Sequence, residues 1–171
     1  MLIAIDPGAS GGIAYLAAPD DMGAFNMPPT MTEQVDMLRE LSLGCQARVL
    51  MEKVGTYMPG NSGPAAAKFA GHCDGLRYAC YALGLPMLPE VTPQKWQKAL
   101  GFGVARYLPA DYKTMTGTAK QRAHSEAVRK NKNDIKNSMQ RQFPHLRVTL
   151  ATADALAILV WGDKYAWDTR G

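Results

Sequence analysis

Cysteine is sparse, with Cys45, Cys73 and Cys80 the only three in a chain of 171 residues. An odd number without metal-like spacing gives neither a disulfide framework nor a thiolate zinc site, and fits reduced, buried thiols in a cytoplasmic protein. Histidine is equally scarce, and the scatter of His72, His124 and His145 argues against a zinc centre. No apolar run approaches the ~20 residues that span a bilayer, and the first residues lack the basic-then-apolar layout of a signal peptide, so no membrane contact is expected. Internal repeats and a domain-dividing linker are missing as well. The expectation is one domain over residues 1–171, with the 47% hydrophobic and 20% charged content of an ordinary globular chain.

Charge is present but uneven. The net charge is +4, yet between Lys95 and Arg147 twelve Lys and Arg face only Asp111, Glu126 and Asp134, while the rest of the chain is net acidic. A concentrated basic stretch in a chain of pI near 9.0 points to a polyanion, nucleic acid by default, with a merely solvated face as the alternative.

Leu2 to Ile5 is a short apolar run, and Pro7 with Gly8 excludes its continuing as a helix. It reads as a buried strand ending on Asp6, followed by a small-residue turn and a returning strand through Tyr15. Taken alone, Asp6 serves equally as a turn cap or as a ligand on a rigid edge. Ala24 to Met27 adds a third antiparallel strand, closed by Pro28-Pro29. A helix begins at Thr30 or Thr32 and runs to about Leu43, with Gly44 as its stop. Arg48 to Val54 is apolar on both faces until Glu52, which predicts a central strand parallel to the first. An ionised Glu52 there is costly unless paired or bound to a cation.

A long helix follows from Pro64 to about Leu83, with Ala66, Phe69, Cys73, Leu76, Cys80 and Leu83 on a seam that must bury against the sheet, another helix or a second subunit, with its own sheet favoured. Pro86 to Val91 predicts a short edge strand, and Thr92-Pro93 an N-cap and first helical residue before Lys95, Trp96 and Lys98. Residues 101–131 lack clean periodicity and read as a basic, partly irregular excursion, with some helix over Thr118 to Arg129. Asn131 to Asp134 offers caps for a new helix to Phe143, and Lys130, Lys132 and Lys136 cluster at that start as a phosphate seat. The last helix runs from Thr152 as N-cap to Gly162, with Asp154 in its first turn.

Three acids now stand out: Asp6 ending the first strand, Glu52 on the fourth, and Asp154 opening the last helix. If strands one and four pair in parallel, two of them become neighbours and the last helix brings the third across. Oxygen ligands of this kind select Mg²⁺ or Mn²⁺. Two such ions about 4 Å apart would suit phosphodiester hydrolysis.

The segments "IAIDPGASGGIAYL", "VLMEKV" and "TADALAILVWG", supported by "TPQKWQKALG", occur in an order that resembles the RuvC-like Holliday junction resolvases of the ribonuclease H superfamily. The Pro28-Pro29 turn and the closing Trp161-Gly162 look closer to the phage and organellar members. The resemblance implies an α/β, ribonuclease H-like fold with a mixed five-stranded sheet, three strands antiparallel and then parallel ones, flanked by helices. It implies a homodimeric endonuclease that nicks four-way DNA symmetrically, using two Mg²⁺ or Mn²⁺ ions. Asp6, Glu52 and Asp154 would be catalytic metal ligands, and Lys53, Lys95, Lys98, Lys130, Lys132 and Lys136 DNA contacts. Tyr57 and Met58 would enter the junction centre. The protein would act in the cytoplasm, on the nucleoid or in a phage's host, or in an organelle.

One position departs from the family's pattern. A fourth metal-binding side chain usually precedes the final Asp by one helical turn, and here that residue is Ala151. His145 lies upstream, and Asp163 is about 13 Å farther along a helix. That departure leaves room for a protein that binds branched DNA without cutting it. "IDPGASGG" also looks like the first phosphate loop of sugar kinases and actin-like ATPases, although no second glycine-rich phosphate loop accompanies it.

Overall fold

The computed structural model describes residues 1–54 and 63–166. Its strands are β1 (Leu2–Asp6), β2 (Gly12–Ala18), β3 (Asp21–Asn26) and β4 (Arg48–Met51). Its helices are α1 (Met31–Ser42), α2 (Gly63–Ala82), α3 (Pro93–Ala99), α4 (Gly117–Gln142) and α5 (Leu150–Trp161), with a 3-10 turn at Val104–Tyr107 and a π-type turn at Gly162–Ala166. The sheet order is β3-β2-β1-β4. β1 pairs antiparallel with β2 and parallel with β4, so the expected central pairing of the first and fourth strands is present.

Side chains alternate across a strand, and β1 is buried on both faces. Leu2, Ala4, Ala14 and Leu50 pack under α5, with Trp96 of α3 and Ile135 and Met139 of α4 completing that layer. Ile3, Ile5, Ile13, Val49 and Met51 face α1 and α2 through Leu38, Leu76, Ala79 and Cys80. The C-terminal half of the α2 seam, Leu76, Cys80 and Leu83, therefore covers its own sheet, whereas Ala66 and Phe69 are only half-buried. No helix among the described residues is long and apolar enough to cross a membrane.

Four strands form the sheet among the described residues, against an expected five. The Pro86–Val91 segment does run beside β4, but only as isolated bridges at Met87 and Val91. Pro86 and Pro89 have no N–H, so the ladder is reduced to single bonds such as Leu88 N–H to Val49 O at 2.8 Å and Val91 N–H to Met51 O at 3.2 Å.

Two helix boundaries also differ. The helix expected over part of Thr118 to Arg129 is the first half of one 26-residue helix that begins at Gly117 and runs on through Asn131, so no new helix starts there. Ala127, Asn131, Ile135 and Met139 form its buried stripe at four-residue spacing, and Asn131 satisfies its polar atoms on neighbouring segments instead of capping. The N-cap of α5 is Thr149, not Thr152. Thr149 Oγ1 accepts from Thr152 N–H at 3.1 Å, and Thr152 Oγ1 accepts from Thr149 N–H at 2.9 Å. Asp154 therefore lies beyond the first turn, where it has no capping task.

Candidate active site

The site begins at the turn after β1. Gly8 adopts φ +118°, where a side chain would be strained, and Gly11 N–H closes the turn on Gly8 O at 3.0 Å. A Cβ on Gly11 would stand 2.1 Å from the Asp6 carbonyl oxygen and 3.2 Å from its Oδ2. Only glycine lets the turn fold this tightly against the carboxylate.

Glu52 continues β4 by one residue, and its N–H donates to Ile5 O at 2.9 Å, which sets it beside Asp6 on the neighbouring parallel strand. Val91 bridges Glu52 from the other side, and Trp96 Nε1 donates to Glu52 Oε1 at 2.7 Å. Asp154 arrives from above the sheet. Gly12 pairs with Asp6 in register, and its missing side chain makes room for the Ala151 carbonyl of α5. Thr149 Oγ1 donates to Asn26 Oδ1 at 3.0 Å, tying the same helix end to β3.

The three acids share one electrostatic environment. Burial pushes the Asp6 carboxyl well above the usual range, and the charges of Glu52 and Asp154 push it further. Burial raises Glu52 to about 7; the Trp96 bond opposes this and Asp154 adds to it. Burial raises Asp154 too. Among the described residues the cation that offsets all three is Lys132, on the flank of α4.

This donor set suits a hard divalent cation. Its side-chain donors are carboxylate oxygens without an imidazole or thiolate, and their mutual repulsion is what such a cation would relieve. Among the described residues no three His, Cys, Asp or Glu side chains are already drawn round a common point, so the acids flank a site rather than close it.

The basic candidates separate. Lys132 faces the acids, and Lys136, four residues on, occupies the same flank of α4. Lys130 lies on another face, 3.7 Å from Glu126. Lys95 places its Nζ 5.3 Å from the centre of the Trp161 ring, Lys98 is exposed on α3, and Lys53 is exposed directly after Glu52. Tyr57 and Met58 lie outside the described residues. His145 sits edge-on to the Phe143 ring. Asp163 lines a cavity of about 460 Å³ with Met1 and Leu2, at the opposite end of β1 from Asp6. Neither is among the groups whose charges act on Asp6, Glu52 or Asp154.

Sequence reasoning missed the Trp96 contact, having read that residue only as part of a short helix. The available signal was chemical: a buried indole N–H requires an acceptor, and Glu52 was the buried acceptor in need of a donor.

No protein-family model matches the sequence, and no curated protein matches it either. Solved structures do. Thermus thermophilus RuvC is similar over 98% of this chain and 95% of its own, with TM-score 0.50 and 15% identity. T. thermophilus RuvC in complex with Holliday junction substrate is similar over 98% of this chain and 96% of its own, with TM-score 0.55 and 15% identity. The likeness is one of fold: an α/β architecture of the RuvC, ribonuclease H-like type.

Proposed function

We propose that this chain is a metal-dependent, structure-selective endonuclease that resolves four-way DNA junctions by paired phosphodiester hydrolysis. The observation that carries the reading is that Asp6, Glu52 and Asp154, from β1, β4 and α5, lie on one part-buried edge close enough for their charges to act on one another, with Lys132 offsetting all three. The likeness to a RuvC structure that contains a junction supports it.

Asp6, Glu52 and Asp154 would hold two Mg²⁺ or Mn²⁺ ions. Bound there, the ions supply an activated water and charge stabilisation at the leaving oxygen. The chain's own residues position and exclude. Gly11 keeps the turn small enough for a phosphate to approach Asp6, and Lys132 moderates the charge that would otherwise repel it. Lys53, Lys95, Lys98, Lys130 and Lys136 would track the backbone, Tyr57 and Met58 would enter the junction centre, and a homodimer would supply the second cut. The Pro28-Pro29 turn and Trp161-Gly162 favour the phage and organellar branch, acting in the cytoplasm or an organelle.

The test is cleavage of synthetic four-way, three-way, flap and duplex DNA in Mg²⁺ and in Mn²⁺. Wild type should nick the four-way junction symmetrically, whereas Asp6→Asn, Glu52→Gln and Asp154→Asn should bind it and leave it intact. Junction binding by wild type without metal-dependent cleavage would favour the second reading, a branched-DNA binder, to which Ala151 in place of a fourth metal-binding side chain lends weight. Nucleotide binding without DNA affinity would replace both with a phosphotransferase.

A further inference from the structure

We infer that Trp96 is a positioning residue that fixes the orientation of the Glu52 carboxylate, an inference that rests on the reading of Glu52 as a metal ligand. The geometry starts at Val91, which bridges Glu52 across the sheet edge. Thr92 follows at once and caps α3, accepting from Lys95 N–H at 3.3 Å, with Pro93 at the first helical position. Helix α3 is thereby launched from the residue beside Glu52. Trp96, in its first turn, comes back over that carboxylate.

Trp96 is 1% exposed and belongs to the core layer that contains Ile135 and Leu156. Its ring would pack there whatever its polar edge did. The indole, however, has a single donor and no acceptor, and that donor meets Glu52 Oε1 at 2.7 Å, the length of a charge-assisted bond. Among the described residues Glu52 is otherwise held through its backbone, by Ile5 O at 2.9 Å and by the Val91 bridge. Its side chain has several rotatable bonds, and among the described residues the Trp96 N–H makes the one hydrogen bond to it. With Oε1 tied to the indole, the carboxylate as a whole is held at one orientation beside Asp154, whose charge acts on it. A residue that orients a ligand in this way acts on cation affinity without touching the cation.

The experiment measures Mn²⁺ binding without DNA, by calorimetry and by the electron spin resonance of free Mn²⁺. It compares wild type, Trp96→Phe, Glu52→Ala and the double variant, with melting temperatures taken in parallel. Trp96→Phe keeps most of the ring and loses the donor, and should weaken Mn²⁺ binding about 10- to 100-fold. In the Glu52→Ala background the same substitution should have no further effect on affinity. Should Trp96→Phe fail to fold, benzothienylalanine at position 96 keeps the two-ring shape and replaces the N–H with sulfur, and the same loss is expected. Wild-type affinity in either donor-less variant overturns the inference, as does an equal loss with and without Glu52. A wild type that binds no Mn²⁺ would instead fail at the prior step, the reading of these acids as a metal site. A purely structural Trp96 would lower the melting temperature and leave the affinity alone.

Discussion

The carbonyl oxygen of Ala151 lies 2.7 Å from the point where a Cβ on Gly12 would stand. Gly12 pairs with Asp6, so this contact fixes how closely α5 approaches the end of β1 and how far Asp154 reaches toward Asp6. The same Cβ would also stand 2.7 Å from the Phe25 carbonyl oxygen, so both neighbours are backbone and neither can rotate away.

Gly12→Ala should therefore cost about 1–3 kcal/mol of stability, as overpacking does. It should also slow cleavage by about 100-fold through displacement of Asp154. Urea denaturation and single-turnover cleavage would check the two effects separately. A destabilised protein that cuts at the wild-type rate would show that this contact does not align the acids.

The acids make a signed prediction for pH. Burial raises all three carboxyls above their unfolded values, so folding takes up protons. Their favourable contribution is complete below the unfolded values, near pH 4, and is lost as pH rises through the folded ones, with Glu52 moving from 4.5 to about 7. In metal-free buffer Glu52→Gln should match wild type near pH 4.5 and exceed it at pH 8 by up to about 3 kcal/mol. Added Mg²⁺ should narrow that gap by stabilising the ionised wild type. A gap of equal size at both pH values would mean that Glu52 is not buried as a charge.

Much of this arrangement was legible because short, strongly patterned segments carried it. Leu2 to Ile5 with Pro7-Gly8 could be little other than a core strand ending on Asp6, and the apolar run before Glu52 marked its parallel neighbour. The misreadings occurred where one side chain had two uses. Asn131 has the chemistry of a cap, and only the tertiary partners Gly103 and Gln97 show that this chemistry is directed elsewhere. Thr149 and Thr152 are both plausible caps by composition; the reciprocal hydrogen bonds decide between them. The expected fifth strand failed on two prolines that permit contact with β4 and deny a continuous ladder. The Trp96 bond joins residues 44 positions apart, beyond any local pattern.

Lysines on one helix should not behave alike. Lys132→Ala and Lys136→Ala should each weaken junction binding and flatten its salt dependence by roughly one unit of slope. Lys132→Ala should in addition deepen the loss of metal-free stability toward high pH, because the acids lose the cation that offsets them. Lys130→Ala should change the slope less, since Glu126 already stands 3.7 Å from its amine on an exposed face. Binding titrations across a salt series separate the three, and identical slopes would place the DNA on a different face of α4.

Asn131 offers the sharpest test of how the basic segment is held. It is 3% exposed; its Oδ1 accepts from Gly103 N–H at 2.7 Å and its Nδ2 donates to Gln97 Oε1 at 3.3 Å. One amide thus joins α4 to α3 and to the loop between them, which leads into the turn bearing Arg106 and Tyr107. Tyr107 closes the same loop by donating to Asp134 Oδ2 at 2.5 Å. Asn131→Ala strands the part-buried Gly103 donor and should cost about 1–3 kcal/mol. Asn131→Asp can still accept from Gly103 but cannot donate to Gln97, and it introduces a charge into the α4 core stripe, so it should be worse at pH 8 than at pH 5. Amide hydrogen exchange at Gly103 reads the latch directly. Protection should fall in the Ala variant well before the protein unfolds, and unchanged protection would mean that the loop is held by its other contacts, such as those of Tyr107 and Arg106 with Asp134.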